Sequence, residues 1–426
     1  MPRALATTSV PRDLDVSVDR APPATRRSVG PARPGAGWSA LLRLRSTAPD
    51  WVLALAIFAA SRLVDGYAIA RNAALAGTMS DGRPYGYLDI LGNWDGTWYR
   101  AVILHGYPAH LPLDVHGQVA QNTWAFYPLL PALVGALMAL TGWSYVVAAS
   151  VVSIGGGAIA VVGMQKLVAA AAGRRLALWT VVLFCFFPAA AVLQLPYAES
   201  VAMALLVGVL LCLQRRRYLL AVPLVLLVGL ARPIAVPLAA VLVLHAVRVV
   251  VLRRPGEEPL TRGSVAALGA LCTAGVVAAA EWPVIAAMRT GRPDAYTQTM
   301  ASWRNPRQMR AFVPWHDAAE RYLGSPGMAI LVLAVAALVV WVARPQAAVI
   351  AGDLRAWCLC YVAYLLAAMD SFTSLPRYLL PLFPLGTLLA AVTRDSRAYR
   401  VALTVAFATG SVVWIAVVWR SRTMAP

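Results

Sequence analysis

Lysine is all but missing from this chain: Lys166 is the only one, and every other basic side chain of the Lys/Arg type is arginine. Charge of either sign is scarce, with 13% charged residues against 60% hydrophobic ones, where an ordinary soluble domain carries about 25% charged residues. That scarcity excludes an ordinary soluble protein. Acidic residues are the scarcer sign, 19 against 37 basic, a formal net charge of +18. Such an excess on its own would suit nucleic acid or an anionic surface. The near-exclusive use of arginine, with abundant Ala, Gly and Pro, points instead to a GC-rich genome. Part of the charge is therefore codon bias, and the rest is assigned to membrane topology and phosphate binding; no nucleic-acid partner is expected. Cysteine is also sparse. The five present, Cys185, Cys212, Cys272, Cys358 and Cys360, fall in apolar runs with no CxxC spacing and no histidine nearby in sequence, which argues against disulfides and against a zinc site.

What remains is oil. A membrane-spanning helix needs roughly 20 mostly apolar residues, and such runs recur at 51–70, 144–170, 176–195, 200–213, 218–230, 234–251, 265–288, 328–343, 354–369, 378–392 and 401–419. The expected fold class is all-α: one polytopic membrane domain, 51–420, with about 11 transmembrane helices of this length. Residues 1–50 are rich in Pro, Arg, Ser and Thr and have no apolar core of signal-peptide length, so a disordered cytoplasmic tail is expected. Its arginines, Arg3 to Arg45, place the N-terminus inside.

The segment 124–142, WAFYPLLPALVGALMALTG, is apolar enough to cross. If it does not cross, the clusters Lys166/Arg174/Arg175, Arg215/Arg216/Arg217, Arg248/Arg253/Arg254/Arg262, Arg344/Arg355 and Arg394/Arg397/Arg400 all face the cytoplasm. Short-loop arginine bias favours that threading. The segment then reads as an interfacial or re-entrant helix whose first turns Pro128 and Pro131 break. The first extracytoplasmic loop becomes 71–143, and a second long one runs over 289–325 with six arginines; Arg420 and Arg422 are the exceptions left outside. This threading collects NWDGTWYRAVILHGYP, LPYAES, LARP, the segment 292–316 and SFTSLPRYLLPLFP on the outer face. Asp65, Glu281 and Asp370 lie toward the outer ends of their spans, and acids at one depth suggest a shared cavity, because each is expensive inside a membrane.

Asp95 stands between Trp94 and Trp98, ahead of Tyr99, His105 and Tyr107. Two readings suit it: a general base for a hydroxyl nucleophile, or a turn with Gly96 inside an aromatic belt at the membrane surface. The run NWDGTWYRAVILHGYP, followed in order by AFYPLLPALV, PYAES, GLARPIAVPLA and LPRYLLPLFPL, resembles the PIG-V-like mannosyltransferases, the family of the second GPI mannosyltransferase and its bacterial relatives. These belong to the GT-C superfamily of polytopic glycosyltransferases. The resemblance covers about 51–390. It implies a GT-C fold with juxtamembrane helices lying along the bilayer in the first outer loop, Asp95 as catalytic base, a sugar pocket shaped by Trp94, Trp98 and Tyr99, and direct displacement on a polyprenyl-phosphate sugar.

A leaving phosphate must be neutralised, and arginine's planar fork suits it. Arg377 and Arg232 lead, followed by Arg304, Arg307 and Arg310; for each the alternative is snorkelling to headgroups. His105 would orient the base, donate to the acceptor or hold phosphate. Glu199 would complement a helix N-terminus or bind a sugar hydroxyl. Tyr107, Tyr197 and Tyr378, in the same quoted segments, complete the expected substrate-binding set. Arg62 and Asp65, three apart, suit an ion pair supporting the cavity, whereas Glu281 has no evident partner. The run SIGGGAIA, 153–160, reads as close helix packing, with no strand–loop–helix unit around it to make a nucleotide loop.

No DxD pair stands in an outer loop and no soluble nucleotide domain is present, which favours a lipid-linked donor and no obligatory metal or other cofactor, although Asp89, Asp95 and His105 are of ligand type. The expected setting is a bacterial plasma membrane with the site outside and membrane lipids around it. The acceptor is a glycolipid, glycan or protein. The alternatives are another polyprenyl-phosphate sugar such as glucose or arabinose, an inactive scaffold of the same shape, and a lipid or solute transporter. Against the transporter, no paired inverted repeat is visible.

Overall fold

The computed structural model describes residues 48–79, 82–252, 260–304, 307–308, 310–369, 372–392 and 396–420. The expected tail lies outside the described residues up to position 47, as do Asp370, Arg253, Arg254, Arg394 and Arg422. Helices account for the architecture: α1 (Asp50–Leu75), α2 (Tyr87–Leu91), α3 (Asp95–His105), α4 (Leu129–Thr141), α5 (Tyr145–Cys185), α6 (Glu199–Gln214), α7 (Tyr218–Gly229), α8 (Ala235–Val250), α9 (Arg262–Thr290), α10 (Ala295–Ala301), α11 (Val313–Leu323), α12 (Gly327–Ala343), α13 (Gly352–Ala368), α14 (Leu375–Tyr378), α15 (Phe383–Val392) and α16 (Arg397–Arg420). Among the described residues there is no strand, only the isolated bridges Thr78–Pro84 and Leu113–Val119.

Among the described residues five stretches are long and apolar enough to cross a membrane: α1, α5, α9, the run Leu375–Val392, and α16 as far as Val418. The bent pair α11–α12, turned by 116°, would make a sixth. The other expected spans are shorter: α6 and α8 have 16 residues each and α7 has 12, about 18 to 24 Å of helix against a hydrocarbon core of about 30 Å. At 13 residues α4 is shorter than that core as well. Its prolines do not break it, contrary to the sequence-based expectation: Pro128 is the residue before the helix and Pro131 lies in the first turn, where backbone N–H groups have no intrahelical partner to lose.

Two expected spans need correction. The run 176–195 is helical only to Cys185, then passes Pro188 into a 3-10 turn, Ala190–Gln194. Upstream the helix breaks at Gly173, whose φ of +79° suits a residue without a Cβ. The run 378–392 is not one helix: it begins at the end of α14, passes through a 3-10 turn, Leu380–Leu382, and continues as α15, because Pro376, Pro381 and Pro384 remove ladder donors at short intervals.

α5 packs against α1, α4, α6 and α15, while α9 packs on α7 and α8. The glycine run works by close approach: a Cβ on Gly157 would lie 2.6 Å from the Phe58 ring of α1, and one on Gly156 would lie 3.0 Å from the Ser200 backbone of α6. Beneath this crossing Arg62 pairs with Asp65 at 2.9 Å and donates to the carbonyls of Ala190 at 2.6 Å and Cys185 at 3.1 Å. Ser411 of α16 donates to the same aspartate at 2.9 Å. One buried ion pair thus satisfies carbonyls left free by the broken end of α5 and joins it to α1 and α16.

Candidate functional site

The charged residues of the site come from helix ends, one short helix and a turn, not from the middles of long helices. Trp94 has φ +58° and ψ −121°, a region bulky residues rarely occupy. It turns the chain so that Asp95 becomes the first residue of α3, where unpaired N–H groups favour a carboxylate. The turn is held by Gly96 N donating to Asn93 O at 3.1 Å, Thr97 N donating to Trp94 O at 3.0 Å and the Tyr145 hydroxyl donating to Gly96 O at 2.6 Å. Arg232 occupies the turn between α7 and α8, its N–H donating to Val228 O at 3.1 Å. Glu199 opens α6, and Arg377 sits in α14.

These four side chains meet. Arg377 Nη1 donates to Asp95 Oδ2 and also, at 3.2 Å, to Glu199 Oε1. That same Glu199 oxygen lies 2.6 Å from Arg232 Nη1. Two carboxylates and two guanidiniums therefore form one charge-balanced chain, Asp95–Arg377–Glu199–Arg232. Tyr197 and Tyr378 flank it, their ring centroids 5.4 and 5.0 Å from the Arg377 guanidinium carbon, within cation–π range. Glu199 makes no side-chain cap on its own helix; its carboxylate serves the arginines.

A cavity of about 260 Å³ opens on this chain, and Asp95, Tyr99, Arg232, Arg304, Arg377 and Tyr378 all line it. Its remaining wall is largely aromatic, with Phe126, Tyr127, Tyr296, Trp303, Tyr361 and Tyr364. Arg304 Nη2 donates to Ala368 O at 2.7 Å, and the Tyr127 and Tyr296 hydroxyls share a hydrogen bond of 2.9 Å. Burial pushes the Tyr99 phenol well above its ordinary pKa, so it remains protonated across any working pH.

Of the other expected residues, Trp98 stands behind the wall, stacked on Phe126 at 5.6 Å and edge-on to Trp303 at 5.2 Å. Trp94 packs on the main apolar core, and His105 is exposed at the last turn of α3; neither lines the cavity. Tyr107 belongs to a separate aromatic cluster, 4.7 Å from Trp124 and 4.9 Å from Trp282, its hydroxyl donating to Phe126 O at 2.9 Å. Its job there is to tie the first loop to α9. Arg307 pairs with Asp114 at 2.5 Å and donates to Gln118 at 3.2 Å, and Arg310 is exposed; neither reaches the cavity. Asp89 is held by Arg83 through two 3.0 Å bonds, and among the described residues no three His, Cys, Asp or Glu side chains are grouped to hold a metal ion. Glu281 Oε1 is buried without a hydrogen-bond partner among the described residues.

Residue-by-residue reading missed Tyr127, Tyr296, Trp303, Tyr361 and Tyr364. A signal existed for the last two: tyrosines three apart in an otherwise apolar span share one helix face. No protein-family model matches the chain, and no curated protein matches it either.

Proposed function

We propose that this chain is an inverting glycosyltransferase of GT-C type, PIG-V-like, which moves a sugar from a polyprenyl phosphate to an acceptor hydroxyl at the outer face of the membrane. Mannose is the sugar the resemblance indicates. The observation that carries the reading is the chain Asp95–Arg377–Glu199–Arg232 on the wall of an aromatic cavity, in a chain with several membrane-length apolar helices. The threading with about 11 spans, the bilayer thinning around the short helices, goes with this reading.

Asp95 takes the proton of the acceptor hydroxyl as its oxygen attacks the anomeric carbon. The bond from that carbon to the phosphate oxygen breaks, its electron pair leaves with the phosphate, and the configuration inverts. Arg232 and Arg377 supply preorganised positive charge where negative charge grows. The aromatic wall offers ring faces to the C–H faces of a pyranose, and an apolar cavity strengthens every charge interaction within it. In this reading the acceptor is a cell-envelope glycolipid, glycan or protein.

The test is purified protein incubated with polyprenyl-phospho-mannose and a panel of membrane acceptors, wild type against Asp95→Asn. Transfer by the wild type and a loss of at least about a hundredfold in the variant are expected, since general acid–base catalysis contributes about 10²–10⁴. Undiminished transfer by Asp95→Asn, or none by the wild type, would sink the proposal.

A further inference from the structure

Arg377 is divided between two acids of different standing. The Glu199 side chain is 4% exposed and also holds Arg232, whereas the Asp95 side chain is 20% exposed and opens on the cavity. Two polar atoms of the cluster, Arg377 Nε and Glu199 Oε2, are buried without hydrogen-bond partners among the described residues. Buried donors are rarely left so, and an unpaired guanidinium N–H beside a cavity suits an anionic oxygen.

The charges of the proposed reaction meet this arrangement. A polyprenyl-phospho-sugar is a phosphodiester with one negative charge. When its sugar leaves, the phosphate becomes a monoester carrying about 1.5 to 2 negative charges, and the proton of the acceptor hydroxyl lands on Asp95. One negative charge disappears at Asp95 as another appears on the phosphate. Resting on the transferase reading, we infer that Arg377 is a transferable cation: it pairs with Asp95 at rest and passes to the phosphate as Asp95 is protonated, while Glu199, which accepts from the same Arg377 Nη1 that serves Asp95, keeps Arg232 and the Arg377 guanidinium within reach. Asp95 thereby controls how tightly the site holds a phosphate monoester, and Glu199 is a positioning residue and not a sugar ligand.

Binding, without any turnover, tests this. A short-chain polyprenyl monophosphate is titrated onto detergent-purified full-length wild type, Asp95→Asn, Arg377→Gln and the double variant. Asparagine has the shape of a protonated aspartic acid and frees Arg377, so Asp95→Asn is expected to bind about tenfold tighter, the worth of one hydrogen bond to a charged group. Arg377→Gln is expected to bind more weakly, and adding Asp95→Asn to it to give no gain. With inorganic phosphate as probe the same order of variants is expected, because the exchange concerns the phosphate and not its lipid tail. Equal or weaker binding by Asp95→Asn would overturn the inference, as would a gain that persists without Arg377. Asp95→Asn carries the test even where Arg377→Gln does not fold. Wild-type transfer from polyprenyl-phospho-mannose keeps the two ideas apart: its absence sinks the transferase reading, and its presence with a flat binding series sinks the charge exchange alone.

Discussion

Glu199 Oε1 lies 2.6 Å from Arg232 Nη1, and this buried pair joins the first residue of α6 to the turn between α7 and α8. With Arg377 on the same oxygen at 3.2 Å, one carboxylate holds two guanidiniums together. Removing it leaves two neighbouring cations with Asp95, on Arg377, as the carboxylate of the chain that remains. Such a change costs far more than a surface ion pair, because an uncompensated charge remains buried. Glu199→Gln is therefore expected to destabilise the protein by about 3 kcal/mol, seen as a lower melting temperature in detergent. A wild-type melting temperature would show that the cluster does not hold these helices.

Trp94 leads to a second expectation. Its φ of +58° is unfavourable for any residue with a Cβ and easy for glycine. Both Trp94→Ala and Trp94→Gly lose the packing of the indole on the core, but only alanine retains the backbone penalty. Trp94→Gly is expected to be the more stable of the two by about 1 kcal/mol, the reverse of the usual order within a helix. Chemical or thermal unfolding of the pair decides it, and alanine being the better residue would mean the turn is not strained.

The loop between α3 and α4 carries a pH-dependent fastening. Asp114 accepts backbone N–H groups from Gln118 and His116 at 3.0 and 2.9 Å and pairs with Arg307 of the other long loop. The backbone bond from Gln118, then Arg307, hold its carboxyl below its ordinary value. A lowered folded-state pKa contributes stability that is present above the ordinary aspartate value of about 3.9 and is lost as pH falls through the lower folded value. Hydrogen exchange in 106–122 is expected to be slow and unchanged from pH 7 to about pH 4 once corrected for intrinsic rates, and to rise below it. Asp114→Asn should show the faster exchange already at pH 7. Equal protection in both proteins at pH 7 would remove Asp114 as the fastening.

Much of the helical layout follows from local chemistry. Long runs of Ala, Leu and Val make most of the helices, and α1, α9 and α13 fall within a few residues of the limits that hydropathy places on them. The break at Gly173 falls between the expected spans 144–170 and 176–195, beside Arg174 and Arg175, whereas the one at Pro188 acts through backbone geometry and not through hydropathy, leaving no mark on an apolar run. Tyr107 shows the same limit at the site. An aromatic beside a catalytic candidate reads the same whether its ring faces a cavity or, as here, Trp124 and Trp282.

By itself the amino-acid sequence determined that this is an apolar, helical chain, and that its few acids and aromatic-flanked arginines are the residues that need explaining. Those properties belong to single residues and their near neighbours, where burial cost and helix propensity act. Only the tertiary structure decided that Asp95, Glu199, Arg232 and Arg377 share one chain of contacts, while His105 and Tyr107 stand apart from it. Asp95 and Arg377 are 282 positions apart, and no local preference reaches that far. Their meeting depends on how the whole chain packs; the crossing of α5 with α6 beside Glu199, for one, is set by Gly156, where an added Cβ would lie 3.0 Å from the Ser200 backbone.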